Sequence, residues 1–284
     1  DAFSGVDVRN IRLTVPKGSK KAYKNAPNWN RFFKSPKNVT EQCPDEYAII
    51  PIPESTAYQP GKTLSTKKLG KIVAPASLAN EQERLKEVLG NRLGIKNFNK
   101  GKHPIVLAID ASIGKKEAYK LTIDEEGINI TGADATGVFY GIMTLDQMLI
   151  PEQENSKLAY LNAVTIEDKP RTKMRELMVD PCRIFIPYED LKGMVVEMAR
   201  YKMNALHLHL TDDQAWRIEI KKYPLLTEKG SFRVGMDDMQ MPIGGFYTQE
   251  QMRELVEYAT KYHVEIIPEI EMPGHQVAAI HCYP

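Results

Sequence analysis

Between residues 176 and 270 the chain alternates short apolar runs with amphipathic stretches, and this order narrows the fold more than any other feature. Residues 176–179 read as a strand. Residues 188–202 read as a helix, with Leu191, Met194, Val195 and Met198 at helical spacing and Glu189 and Asp190 in its first turn. Residues 204–210 are the next strand. Residues 248–263 form a helix opened by a capping box, Thr248 to Gln251, and residues 264–270 are the third strand. Strand, helix, strand, helix, strand is the order of a parallel α/β sheet or barrel.

Residues 46–165 read as a separate, small α/β domain. Strands are expected at 47–51, 71–74 and 105–109, and a hairpin at 119–123 and 128–131 with Glu126-Gly127 at its turn. Helices are expected at 81–93, with Asn80 as N-cap, and at 136–149. Residues 1–45 read as a polar wrapping segment with one strand at 8–15 and the aromatics Trp29, Phe32 and Phe33. Residues 166–284 then hold the parallel units.

Lys plus Arg is 38 and Asp plus Glu is 37, a formal net charge of +1. That balance offers no broad electrostatic grip for nucleic acid or an anionic membrane, so neither is expected as a partner. No apolar run approaches the roughly 18 residues of a membrane span. The three cysteines, Cys43, Cys182 and Cys282, are too scattered for a disulfide framework or a zinc knuckle. The start at Asp1, without Met or a signal-type segment, reads as a trimmed, exported product.

In an α/β barrel the chemistry sits at the C-terminal ends of the strands. Here the first strand ends at Asp180, with Arg183 just beyond; the second runs into Thr211-Asp212-Asp213; the third ends in Glu269-Ile270-Glu271-Met272-Pro273-Gly274-His275. Three such ends in succession point to an active-site rim. In His207-Leu208-His209 the period of two puts both imidazoles on one face. They are either hydrogen-bonded core histidines or, with Asp212, the ligands of a metal-dependent hydrolase. Trp216, on the rim loop, suits stacking on a sugar face. No Gly-rich phosphate loop and no nucleophile elbow is present.

Several linked motifs resemble glycoside hydrolase family 20, the β-N-acetylhexosaminidases. They are Arg175-Glu176-Leu177-Met178-Val179-Asp180-Pro181-Cys182-Arg183, then His207-Leu208-His209-Leu210-Thr211-Asp212-Asp213 with Trp216-Arg217-Ile218-Glu219-Ile220, and Ile267-Pro268-Glu269-Ile270-Glu271-Met272-Pro273-Gly274-His275. The stretch 132–149 is similar to the end of that family's N-terminal α/β domain. The resemblance implies a small α/β accessory domain followed by the first three βα units of a (β/α)8 TIM barrel, incomplete as written. It implies an exo-acting glycosidase that removes terminal β-linked N-acetylglucosamine or N-acetylgalactosamine with retention, the substrate's own acetamido oxygen attacking the anomeric carbon.

The resemblance assigns Arg175 to sugar hydroxyls in the terminal subsite. It makes Asp212 and His275 a supporting relay for an acid Glu, and Asp213 and Glu269 hydrogen-bonders at the rim. No metal or cofactor is implied; the partner is an amino-sugar-containing glycan. Glu176 stands where the family usually has Gly. The family's Asp-Glu pair belongs to the fourth strand, beyond Pro284, so the chain as written is expected to be inactive, either as part of a hexosaminidase or as a carbohydrate-binding fragment.

Overall fold

The structure, a computed structural model, describes residues 19, 21–22, 40–41, 46–151, 157–234 and 242–284. The strand expected at 8–15, the aromatics of the wrapping segment and Cys43 lie outside the described residues.

The first domain is a six-stranded mixed sheet with two helices on one face. Its elements are β1 (Ser55–Ser65), β2 (Leu69–Val73), α1 (Ala79–Leu93), β3 (His103–Ile109), β4 (Tyr119–Ile123), β5 (Ile128–Gly132), α2 (Ala135–Met148) and β6 (Tyr160–Asp168). The strand order is β1-β6-β4-β5-β3-β2. β4 and β5 form the expected hairpin, Ile123 opposite Ile128. Its turn is held by Asp124, whose carboxylate accepts the N–H groups of Glu126 at 2.9 Å and Gly127 at 3.0 Å.

Alternation decides the faces. Tyr119, Leu121, Ile123, Ile128, Ile130, Ile105 and Leu107 are buried under the helices, while Lys120 and Asn129 point to the exposed face. Asp134 caps α2 by accepting from Gly137 N at 2.8 Å. A Cβ at Gly137 would run into the Ala118 carbonyl, and one at Gly141 into Ile130. These two glycines let α2 lie directly on the β4–β5 hairpin.

Three expectations need correction. Residues 47–51 join no sheet; Tyr47 and Ile49 are buried, and Ile50 N donates to the Gln147 side chain at 2.8 Å rather than to a neighbouring strand. β1 and β6 went unread because their exposed positions are polar and β1 carries Pro60 and Gly61. Asn80 is not the N-cap of α1, which begins at Ala79 after a 3-10 turn; its side chain bridges instead to the Lys261 carbonyl at 3.1 Å. β6 also runs to Asp168, past the boundary drawn at 165, because Asp168 still pairs with Tyr119.

The second domain contains β7 (Glu176–Val179), α3 (Tyr188–Arg200), β8 (Ala205–His209), α4 (Gln249–Thr260), β9 (Glu265–Glu269) and α5 (Val277–Cys282). The three strands are parallel in the order β9-β8-β7, with Ala205 opposite both Glu176 and Glu265. Both long helices lie near their expected positions, and the capping box at Thr248 and Gln251 is formed in both directions. α3 stops at Arg200, two residues early, because Lys202 takes a left-handed backbone (φ 61°) that a helix cannot continue through. Leu206, Leu208 and Leu210 are fully buried in the core shared with Leu191, Val195, Leu255 and Ala259. Each contributes about 2 kcal/mol. Three parallel strands joined by helices are consistent with the expected opening units of a (β/α)8 barrel.

The domains are joined by polar contacts between helices. Asp146 of α2 is buried and accepts from Arg92 Nε at 2.6 Å and from Arg200 Nε at 3.1 Å. Gln147 Nε2 donates to the Arg200 carbonyl at 2.9 Å. This fixes the accessory sheet against the first barrel helix.

Candidate active site at the strand ends

β8 leads straight into a tight rim loop. Arg217 N returns to the Leu210 carbonyl at 2.9 Å and Thr211 bridges Trp216, so Asp212 is folded back over the strand end. Arg217 itself is fully buried and donates to the carbonyls of Pro181 and Cys182, both at 2.9 Å, of Gly245 at 2.9 Å and of Ser231 at 2.5 Å. One guanidinium thereby ties together the loops after β7, after β8 and before α4. The fixed fork of five donors suits this task.

Asp212 is the centre of the site. It is 1% exposed and accepts from His209 Nε2 at 2.8 Å, His275 Nδ1 at 2.9 Å and Asp213 N at 2.6 Å, with Arg183 Nη2 at 2.5 Å. Burial opposes its ionisation. The hydrogen bonds from His209, Asp213 N–H and His275, with the Arg183 charge, outweigh burial and hold the carboxyl below the usual range. Since a carboxylate only accepts, Nδ1 of His275 carries the proton toward it, and Nε2 is left to exchange one. His275 is held at φ 55° and its side chain is 47% exposed. Among the described residues its Nε2 has no hydrogen-bond partner.

A second acidic pair sits behind. Glu269 Oε2 lies 2.9 Å from His209 Nδ1 and 2.9 Å from His207 Nε2, out of line with both N–H directions. These are ion-pair contacts rather than hydrogen bonds. Burial works against a charge on His209, but its bond to Asp212 and the nearness of Glu269 prevail and raise it above the ordinary imidazole value. Glu271 is raised by the carboxyl of Glu269 beside it. Burial pushes the Cys182 thiol up to about 12, and its Sγ donates to the Ala215 carbonyl at 2.7 Å. Such a thiol is no nucleophile.

The structure brings Asp212, His275 and Asp213 together, with Glu269 one imidazole away. Asp213 Oδ1 also accepts from Val277 N at 3.2 Å, anchoring the start of α5. Trp216 is half-buried with its indole N–H on the Ile218 carbonyl at 2.8 Å, a loop-fixing contact.

Arg175 is elsewhere. It precedes β7 at the N-terminal end of the sheet, roughly 16 Å along the strand from Asp180. Its guanidinium is consumed by the carbonyls of Lys202 at 2.6 Å and Thr172 at 2.8 Å, and by Glu117 and Tyr140 OH of the first domain, each at 2.7 Å. It is a domain-joining residue. The arginine at the mouth is Arg183, paired with Asp180 Oδ2 at 2.6 Å as well as with Asp212. Its position three residues past the strand-end acid was the sequence signal for this.

The metal trio His207, His209 and Asp212 does not converge. His207 Nδ1 is bonded to Glu176 at 2.7 Å, and His209 reaches Asp212 through Nε2. Among the described residues two other groups bring possible ligand atoms within 4.8 Å of one another: His209, Glu269 and Glu271, and Asp212, Asp213 and His275. Asp212 and His209 already hold one another through a proton, so the arrangement is that of a hydrogen-bonded network.

Comparison with known proteins agrees with this architecture. The family model "Glycosyl hydrolase family 20, domain 2" matches residues 46–169, and "Glycosyl hydrolase family 20, catalytic domain" matches residues 173–284. The chain belongs to glycosyl hydrolase family 20. A beta-hexosaminidase of Porphyromonas gingivalis is 48% identical over 185 residues, 63% of this chain and 24% of that protein. The GH20 exo beta-N-acetylglucosaminidase of Vibrio harveyi, in complex with N-acetylglucosamine, matches with a TM-score of 0.74 at 32% identity, over 88% of this chain and 39% of that one. The N-acetyl-beta-hexosaminidase of Streptomyces plicatus matches with a TM-score of 0.73 at 34% identity, over 85% and 50%. The chain therefore spans between 24% and 50% of the length of these relatives.

Proposed function

We propose that residues 1–284 belong to an exo-acting β-N-acetylhexosaminidase, cleaving terminal N-acetylglucosamine or N-acetylgalactosamine from glycans with retention. One observation carries the reading: a buried aspartate, Asp212, gathers His275, His209 and Arg183 at the C-terminal ends of three parallel strands in a family 20 chain. In this scheme the acetamido oxygen of the substrate attacks the anomeric carbon, and an acid Glu protonates the leaving oxygen. In this reading that Glu and its Asp partner would belong to a fourth strand, as the family resemblance implies.

What these residues contribute is support. Asp212 fixes the tautomer of His275, so that Nε2 can hold or receive a proton beside the acid. Arg183 presents guanidinium donors to sugar hydroxyls at the mouth, the role first expected of Arg175. An exported location fits a glycan substrate.

The test uses the full-length protein and an aryl N-acetyl-β-glucosaminide, followed by proton NMR. The expected first product is the β-anomer of N-acetylglucosamine, with turnover lost in Asp212→Asn. An α-anomer first would overturn retention. Sugar binding without turnover would leave a carbohydrate-binding protein, and turnover lost to a chelator with stoichiometric zinc would favour the metal hydrolase.

A further inference from the structure

A second line of polar contacts crosses the same three strands on the inner side of the Asp212 node. It starts at the first residue of β7. Glu176 Oε1 bonds His207 Nδ1 at 2.7 Å, and the other nitrogen of that ring lies 2.9 Å from Glu269 Oε2. The same oxygen lies 2.9 Å from His209 Nδ1, whose Nε2 reaches Asp212 at 2.8 Å. Acid and imidazole thus alternate without a break from Glu176 to His275. The parallel register makes this possible. Glu176 faces Ala205, and His209 faces Glu269, so β7 and β9 flank the histidines of β8 from opposite sides.

We propose that Glu176 is a positioning residue of the active site, holding the His207 ring through Nδ1 so that its Nε2 edge stays beside Glu269 and the contacts from Glu269 through His209 to Asp212 keep their places. The proposal rests on the hexosaminidase reading for its effect on turnover, and on the contacts alone for its effect on the rings.

The chemistry is local. A carboxylate can only accept, so Nδ1 of His207 carries the proton in its bond to Glu176, and that bond fixes the ring with Nε2 at 2.9 Å from Glu269 Oε2. Without the Glu176 carboxylate the ring keeps at most the weaker bond of a neutral amide, or no bond at all. Burial works against a charge on Glu269, and Glu271, His209 and His207 together hold its carboxyl below the usual range, so a displaced His207 ring lets Glu269 take up a proton more readily. A protonated Glu269 no longer supports the charge on His209, and Asp212 loses part of what keeps it ionised. The charged groups around His207 are Glu176 on β7, Glu269 on β9 with Glu271 beyond it, and His209 on its own strand. Asp180, Arg183, Asp212 and His275 stand above them at the mouth. Glu176 lies at the far end of the chain of contacts from His275, so its influence on turnover has to travel through the rings.

The experiment compares Glu176→Gln and Glu176→Ala with the unaltered protein. In the full-length enzyme the readout is the pH profile of kcat/KM on an aryl N-acetyl-β-glucosaminide. The expected result is an acid limb moved to higher pH by about half a unit or more in both variants. KM at the pH optimum should stay within about twofold, since Glu176 starts β7 at the end opposite the rim. A superimposable acid limb overturns the proposal, whatever happens to thermal stability. If the unaltered enzyme does not turn over this substrate, the functional reading fails on its own, and nitrogen-15 NMR of the histidine rings in the full-length protein decides the rest. Altered His209 ring signals in both variants uphold the contact chain; unaltered ones overturn it.

Discussion

Oε1 of Glu81, in the first turn of α1, lies 2.9 Å from Nε2 of His263, in the turn that enters β9, so a buried carboxylate crosses from one domain to the other. The opposite ring nitrogen, Nδ1, is 3.0 Å from Thr136 Oγ1 of α2. Three elements therefore meet on one imidazole.

This contact makes stability depend on acid. Burial raises Glu81, but hydrogen bonds from His263 and Asn80 overcome it, and the net value lies below 4.5. A carboxyl depressed in the folded state contributes stability above its unfolded value, and that contribution disappears as pH falls through the folded value. We expect Glu81→Gln to cost about 2 kcal/mol at pH 7 and progressively less below pH about 4. Urea unfolding at the two pH values measures it. Equal losses at both would show that the charge plays no part.

Arg175 and Arg183 should separate cleanly. Arg175→Ala breaks bonds to Glu117 and Tyr140 across the domain junction, so thermal stability should drop by several degrees, with KM little changed. Arg183→Ala should lower kcat/KM by about tenfold or more, because donors at the mouth are lost. Steady-state kinetics beside a thermal melt reads both. A larger catalytic loss at Arg175 than at Arg183 would restore the first assignment.

Asp212→Asn leaves a single acceptor oxygen for donors on His209, His275, Asp213 and Arg183, and its amide must face one of them. The tautomer of His275 is then no longer fixed. We expect kcat to fall by about a hundredfold or more, a loss typical of disabling proton transfer. Because the carboxyl of Asp212 is held below its ordinary range, its support persists well into acid and is lost only as pH drops through that lowered value.

Arg217→Met should be the most damaging change in the rim. It leaves the carbonyls of Pro181, Cys182, Ser231 and Gly245 buried without this donor. Each unsatisfied buried carbonyl costs about 1–3 kcal/mol. Hydrogen exchange at residues 211–217 and 244–247 should speed up by orders of magnitude. Unchanged protection would mean that these loops are held by other contacts.

Much of this was legible in the residues. Period-two burial marks β4, β5 and β8, and the Thr248–Gln251 box marks the start of α4, because each signal is local and strong. β1 and β6 were not legible; their outward faces are polar and their pairing is long-range. Asp212 and His275 were visible as strand-end polar residues, and they meet at 2.9 Å. The error over Arg175 came from reading a motif without its strand direction. The residue before a parallel strand lies at the end opposite the chemistry, whereas Arg183, three residues past Asp180, lies at it. The link from Glu176 through His207 to Glu269 could not be read at all, since it depends on the register of three strands.

In the proposed function Asp212 and His275 serve a hydrolase whose substrate supplies its own acetamido nucleophile. The most direct measurement compares kcat/KM of the full-length protein on an aryl N-acetyl-β-glucosaminide and on the matching aryl β-glucoside, which lacks the acetamido group. Rapid hydrolysis of the first is expected, with a rate on the second lower by about a thousandfold or more and loss of the first in Asp212→Asn. Comparable rates on both sugars would contradict it.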